Sequence, residues 1–193
     1  YNLAGNKCEN KIPKNLGRII SDKAIGKDKE LPSKNDLFLK TNYIIKNLPV
    51  NENGYPLERM SFKNLVLSDF NDTWEDSSWK SYFEEVTIIV LCYEGNSKIK
   101  NGFRVLKDIK KISFNENDID LFGRAYDMVR NAIINRDISK LPYPNKFPGQ
   151  VLEVAPKGVK DDDAYKNFFK KDITKVCFMI SKDFLFKKLS ENK

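Results

Sequence analysis

Val86-Thr87-Ile88-Ile89-Val90-Leu91-Cys92-Tyr93 is the longest apolar run in the chain, and its reading decides the fold. The run is rich in β-branched residues and lacks the polar alternation of a half-exposed strand. A continuous run of this kind marks a strand buried on both faces of a sheet. Eight residues cannot span a membrane, so this apolarity belongs in a protein core.

Upstream of the run, Ser77 to Glu85 reads as a short helix carrying Trp79, Tyr82 and Phe83. Met60 to Leu67 reads as a strand whose apolar residues are Met60, Phe62, Leu65 and Leu67. Asn51-Glu52-Asn53-Gly54 is a turn signal that separates it from an earlier strand, Leu37 to Ile45. Before that come a charged loop, 26–34, a short helix, 16–25, and a polar, lysine-rich stretch, 1–15, expected to be a linker or mobile arm.

Downstream, Phe103 to Phe114 reads as one strand or two. Ile119, Phe122, Tyr126, Val129 and Ile133 then recur at helical spacing, with Asn115 or Asn117 as the candidate cap. A proline-rich loop, Leu141 to Pro148, leads to two short strands, Gln150 to Val154 and Val176 to Ile180. Ser181 is placed to cap a last helix, Lys182 to Leu189. Strands and helices alternate without a regular βαβ repeat, so the fold class is α/β with an α+β mixed sheet, in one domain over 16–193.

Composition narrows the function. The 193 residues carry a formal net charge of +7, which suits a polyanion, nucleic acid before an anionic membrane surface. There is no histidine. That excludes Ser-His-Asp and Cys-His catalysis, HExxH sites and any histidine base. Cys8, Cys92 and Cys177 lie far apart, with no CxxC pair for zinc and an odd count that suggests a reducing, cytoplasmic setting. Cys92 and Cys177 sit in apolar runs and read as buried thiols. The chain starts at Tyr1 without a methionine, and is expected to be part of a longer protein whose remainder lies upstream.

Three stretches, in order, resemble the MutH-type endonucleases. The first is Leu37-Phe38-Leu39-Lys40-Thr41, similar to the family's Val-Glu-Leu-Lys-Ala/Thr strand. The second runs from Met60-Ser61-Phe62 through Trp74-Glu75-Asp76, Trp79 and Phe83 into the Val86 to Tyr93 strand. The third is Gly149-Gln150-Val151-Leu152-Glu153-Val154-Ala155-Pro156-Lys157 followed by Phe178 to Leu189, similar to Gly-x-Val-Leu-x-x-Arg-Pro-Lys and a closing strand and helix. The chain is most like the C-terminal domain of GATC-cutting type II restriction endonucleases that carry two MutH-like domains in tandem.

The resemblance implies a restriction-endonuclease-like, MutH-like fold that binds double-stranded DNA. Active members hold Mg²⁺ with an Asp and the Glu of a Glu-x-Lys pair. The matching positions here are Leu31 and Phe38, and only Lys40 survives. Mg²⁺ needs carboxylate oxygen, so the resemblance implies no cofactor in this domain and Mg²⁺ only in an upstream MutH-like catalytic domain. The partners it implies are duplex DNA and that upstream domain, or a dimer partner, with no membrane.

Lys40 is the phosphate-contacting candidate left in the degenerate cleft. Lys157 matches the lysine that the family sets at the bases, with Ala155 in place of its arginine partner. Met179 falls where the family's methyl-sensing tyrosine stands. Lys146, Lys160, Lys166, Lys170, Lys171 and Lys175 surround the third stretch and suit a phosphate backbone. Asp161-Asp162-Asp163 has no EF-hand spacing and reads as a helix N-terminus rather than a metal site. Trp74 and Trp79 read as core residues before base-stacking ones.

The expected function is therefore a DNA-binding, allosteric effector domain that does not itself cut. Two alternatives stand beside it. One is an active Mg²⁺-dependent nuclease with relocated ligands drawn from Asp36, Asp69, Asp72 and Glu75. The other is a protein-interaction domain on a degenerate nuclease fold.

Overall fold

The computed structural model describes residues 42–95, 105–158, 163–171 and 173–191. The arm at 1–15, the helix at 16–25, the loop at 26–34 and the Leu37 to Thr41 part of the first strand lie outside the described residues. The architecture is mixed α+β, with two small sheets and several helices. The described residues gather into two compact units. One holds 42–58, 86–95, 105–112 and 189–191; the other holds 59–85, 113–158, 163–171 and 173–188.

The first unit is a three-stranded sheet of β1 (Tyr43–Val50), β3 (Thr87–Glu94) and β4 (Leu106–Ile112), with β3 in the centre. β1 runs parallel to β3 in unbroken register from Tyr43 opposite Thr87 to Val50 opposite Glu94. β4 pairs antiparallel on the other side. The apolar run behaves as expected: Ile88, Val90, Leu91, Cys92 and Tyr93 are buried.

β1 corrects the sequence reading, which ends this strand at Ile45. It continues to Val50, because pairing with β3 holds Lys46, Asn47 and even Pro49 extended. Local pattern does not carry that long-range ladder. The expected turn follows directly. The Asn51 Oδ1 accepts from the Asn53 and Tyr55 amides at 3.0 and 2.9 Å, and Gly54 takes φ +78°, a conformation that favours glycine.

β4 buries only Ile112 and leaves Leu106 and Ile109 exposed. Among the described residues it is the edge strand on that side, and Lys107, Lys110 and Lys111 along it are the kind of charge that discourages further pairing.

The second unit is built on an antiparallel sheet ordered β2 (Met60–Asn64), β6 (Val176–Ile180), β5 (Leu152–Pro156). β2 is shorter than the expected Met60 to Leu67. After Leu65, whose amide still donates to the Val176 carbonyl, the chain turns into a 3₁₀ helix over Leu67–Phe70. The helices are α1 (Ser78–Glu85), α2 (Glu116–Ile134), α3 (Asp163–Phe169) and α4 (Lys182–Glu191).

Asn115 caps α2 in a reciprocal box. Its side chain accepts from the Asp118 amide, and the Asp118 carboxylate accepts from the Asn115 amide, both at 3.0 Å. Asp118 also pairs with Lys188 at 2.9 Å, with both side chains buried. A buried charge needs such a partner, and removing one alone would strand the other. Ser181 lies just ahead of α4 and accepts from the Phe184 amide at 3.4 Å, as its position in the sequence suggests.

One face of the sheet carries Met60, Phe62, Leu152, Val154, Val176, Phe178 and Ile180, all buried. Against it packs an aromatic cluster. Trp79 meets Phe178 edge to face at 5.0 Å, Phe62 meets Phe83 at 5.2 Å, and Phe83 lies 4.8 Å from Phe122. Trp74 and Tyr126 lie 5.2 Å apart, so both tryptophans are core residues as expected. Gly123 is what lets Trp74 approach α2, since a Cβ there would sit 2.7 Å from the indole nitrogen.

Candidate nucleic-acid interface

Alternate residues on a strand share a face. On β5, Leu152 and Val154 turn to the core, so Glu153 and Ala155 turn the other way. Their partners on β6 are Met179 and Cys177, and Ser61 of β2 completes the row with Met179 and Glu153. Met179 and Ala155 therefore share the non-core face of the second sheet. Lys157 follows directly on the end of β5, and its amide donates to the Lys175 carbonyl at 2.7 Å.

Lys157 is not wholly free for a ligand. Its ammonium donates to the Phe62 carbonyl, a contact across 95 positions that nothing local in the sequence signals. The next residue, Gly158, takes φ +122°, which only glycine adopts readily, and the chain turns away there.

The other edge of β5 is closed by the proline-rich loop, through the Val154 amide donating to the Pro142 carbonyl at 3.0 Å. Within that loop the Lys146 and Phe147 amides both donate to the Tyr143 carbonyl at 2.9 Å. This tight turn sets Lys146 5.9 Å from the centre of the Tyr143 ring.

Between loop and strand lies an open groove of about 600 Å³, lined by Arg59, Tyr143, Pro144, Asn145, Lys146, Val154, Ala155 and Pro156. No carboxylate lines it. Its polar groups are a guanidinium, an ammonium, an amide and a phenol, and burial pushes the Tyr143 hydroxyl up, so it stays a neutral donor. Arg59 is held by an ion pair with Glu153, which is itself buried. Two of its eight lining residues, Arg59 and Lys146, are cations.

No protein-family model matches the chain, and no curated protein matches it.

The structure thus brings Lys146 and Ala155 into one groove, and sets Lys157, Lys175 and Met179 along the same two strands. Lys166, Lys170 and Lys171 are exposed on α3 and just beyond it. Leu31, Phe38, Lys40 and Lys160 lie outside the described residues, as does Asp36. Asp163 begins α3, in keeping with the helix-terminus reading, while Asp161 and Asp162 lie outside the described residues.

Sequence reasoning missed Arg59 and Glu153. Their pairing spans 94 positions and has no local signature; the one hint was an acid, Glu153, amid the apolar residues of a strand.

Of the alternative ligand acids, Asp69 lies 3.9 Å from the Lys63 ammonium, and Glu75 pairs with Lys80 at 2.5 Å. Among the described residues no three acids or thiols gather as a metal site. No helix among them is long and apolar enough to cross a membrane.

Proposed function

We propose that this chain is a duplex-DNA-binding, allosteric effector domain on a restriction-endonuclease-like, MutH-like fold. It serves a separate catalytic domain of a cytoplasmic type II restriction endonuclease, acting at a GATC-type site. The observation that carries the reading is the groove beside β5, whose lining includes two cations, Arg59 and Lys146, and no carboxylate. DNA backbones are read by such donors, and phosphate contacts fix position without sequence information. The ordered resemblance of three stretches to the MutH-type enzymes supports the fold. Leu31 and Phe38, at the places of the metal-binding acids, support the loss of cutting.

In this role the domain docks on duplex phosphates through the groove and the lysines along β5 and β6. Lys157, which follows β5, matches the lysine that the family sets at the bases. Binding then stabilises the active arrangement of the upstream domain, which holds the Mg²⁺.

Incubation of the pure chain with supercoiled plasmid and Mg²⁺ tests the division of labour. The plasmid is expected to stay intact. Cleavage that Asp36→Ala abolishes would overturn it and establish the active-nuclease alternative.

A further inference from the structure

We infer that Arg59 is a phosphate-binding residue of the groove and that Glu153 is the residue that positions it. The inference rests on the DNA-binding reading above and assigns a role to two residues the resemblance leaves blank.

A guanidinium is a planar fork whose donors point in fixed directions. In this protein the Nε–H of Arg59 is given to the Glu153 Oε2. That bond restrains where the fork can lie. The Nη1 and Nη2 donors make no hydrogen bond among the described residues, and Arg59 lines the groove with 39% of its side chain exposed. The Glu153 carboxylate, at 7% exposure, is the buried anchor. Its place is set by the sheet, since it stands opposite Met179 on β6.

The arrangement is therefore asymmetric. One donor of the guanidinium is spent on an internal acid, and the side chain is still 39% exposed where it lines the groove. A purely structural ion pair has no need of that exposure. Lys146 and the Asn145 amide line the same groove, so a phosphodiester anion there meets donors from the loop and from Arg59 together. Charge-assisted, bidentate contacts of this kind are the strongest that arginine makes with phosphate.

The ligand class is the phosphodiester backbone of duplex DNA. Glu153 touches none of it; its part is to hold the fork in place before the ligand arrives, which lowers the ordering cost of binding.

The sign of one substitution separates positioning from simple charge. Glu153→Gln removes a negative charge close to the groove. If only net charge mattered, duplex binding would tighten. If Glu153 positions Arg59, binding weakens, because the neutral amide holds the guanidinium less firmly.

The experiment is fluorescence anisotropy of a labelled 20-base-pair duplex against the full chain, with Arg59→Gln, Arg59→Lys, Glu153→Gln and the Arg59→Gln/Glu153→Gln double variant. Each is checked for folding by its melting curve. Arg59→Gln is expected to weaken binding by about tenfold or more and to lower the salt slope by about one. Arg59→Lys keeps the charge but loses the fork, and is expected to recover only part of the affinity. Glu153→Gln is expected to weaken binding by about three- to tenfold. In the double variant, Glu153→Gln is expected to cause no further weakening beyond Arg59→Gln.

The double variant also removes both charges at once, so it stays informative if Glu153→Gln alone fails to fold. Should the wild-type chain bind the duplex while Arg59→Gln binds equally well, Arg59 is no phosphate contact. Should Glu153→Gln bind more tightly, or should the double variant bind more weakly than Arg59→Gln, Glu153 does not act by positioning Arg59. A wild-type chain that binds no duplex at low salt defeats the DNA reading itself, and this inference with it.

Discussion

The two sheets of this protein treat their apolar side chains in opposite ways. In the second unit, the core face of all three strands is buried, and aromatic rings from α1 and α2 close over it. In the first unit, the central strand β3 is buried but its neighbour β4 leaves Leu106 and Ile109 in solvent. An apolar residue in a strand is thus no guide to burial until the opposing layer is known. The groove lined by Arg59 and Lys146 lies in the second unit, where strands, loop and helices fix one another.

The sharpest contrast is in stability. Trp79 is fully buried and touches Tyr82, Phe83 and Phe178. Trp79→Ala is expected to cost about 3–5 kcal/mol, the range for truncating a large core aromatic. Ile109, at 56% exposure, is the counterpart in the first sheet. Ile109→Ala is expected to change stability by no more than about 0.5 kcal/mol. Urea denaturation of both variants checks the pair, and equal losses would break the contrast.

A smaller effect distinguishes the first sheet on its own. Burial in β3 pushes the Cys92 thiol up to about 11, with the facing Asp108 carboxylate adding to the shift and Lys110 opposing it. Because the folded pKa lies above the unfolded one, the unfolded chain ionises first. The contribution to stability is full below about pH 9 and is lost as pH rises towards 11. Cys92 is accordingly expected to resist iodoacetamide at pH 8 until the chain unfolds, as read by peptide mapping. Prompt labelling in the folded protein would show that β3 is not the sealed strand described here.

Much of this was legible locally. The β6 strand, the Asn115 cap of α2 and the Ser181 cap of α4 each follow from a pattern contained within a few residues. So does the burial of Trp74, Trp79, Cys92 and Cys177. What local pattern could not carry was long-range. β1 runs five residues beyond the expected Ile45 because β3 pairs with it, and β2 stops at Asn64 because the chain must enter the 3₁₀ helix. The site was legible in part. Lys146 and Ala155 do line one groove, but Arg59 and Glu153, which give that groove its geometry, meet across a distance in sequence that no motif spans. Lys157 likewise divides its ammonium between the Phe62 carbonyl and the surroundings, a tie visible only once β2 and β5 are in place.

The central claim, that this chain binds duplex DNA through phosphate contacts, is tested most directly by titrating a labelled 20-base-pair duplex with the wild-type chain across a salt series. With about five phosphates neutralised, affinity is expected to fall on the order of 10²- to 10³-fold between about 50 and 200 mM salt. Binding that does not change with salt, or no binding at the lowest salt, would contradict it.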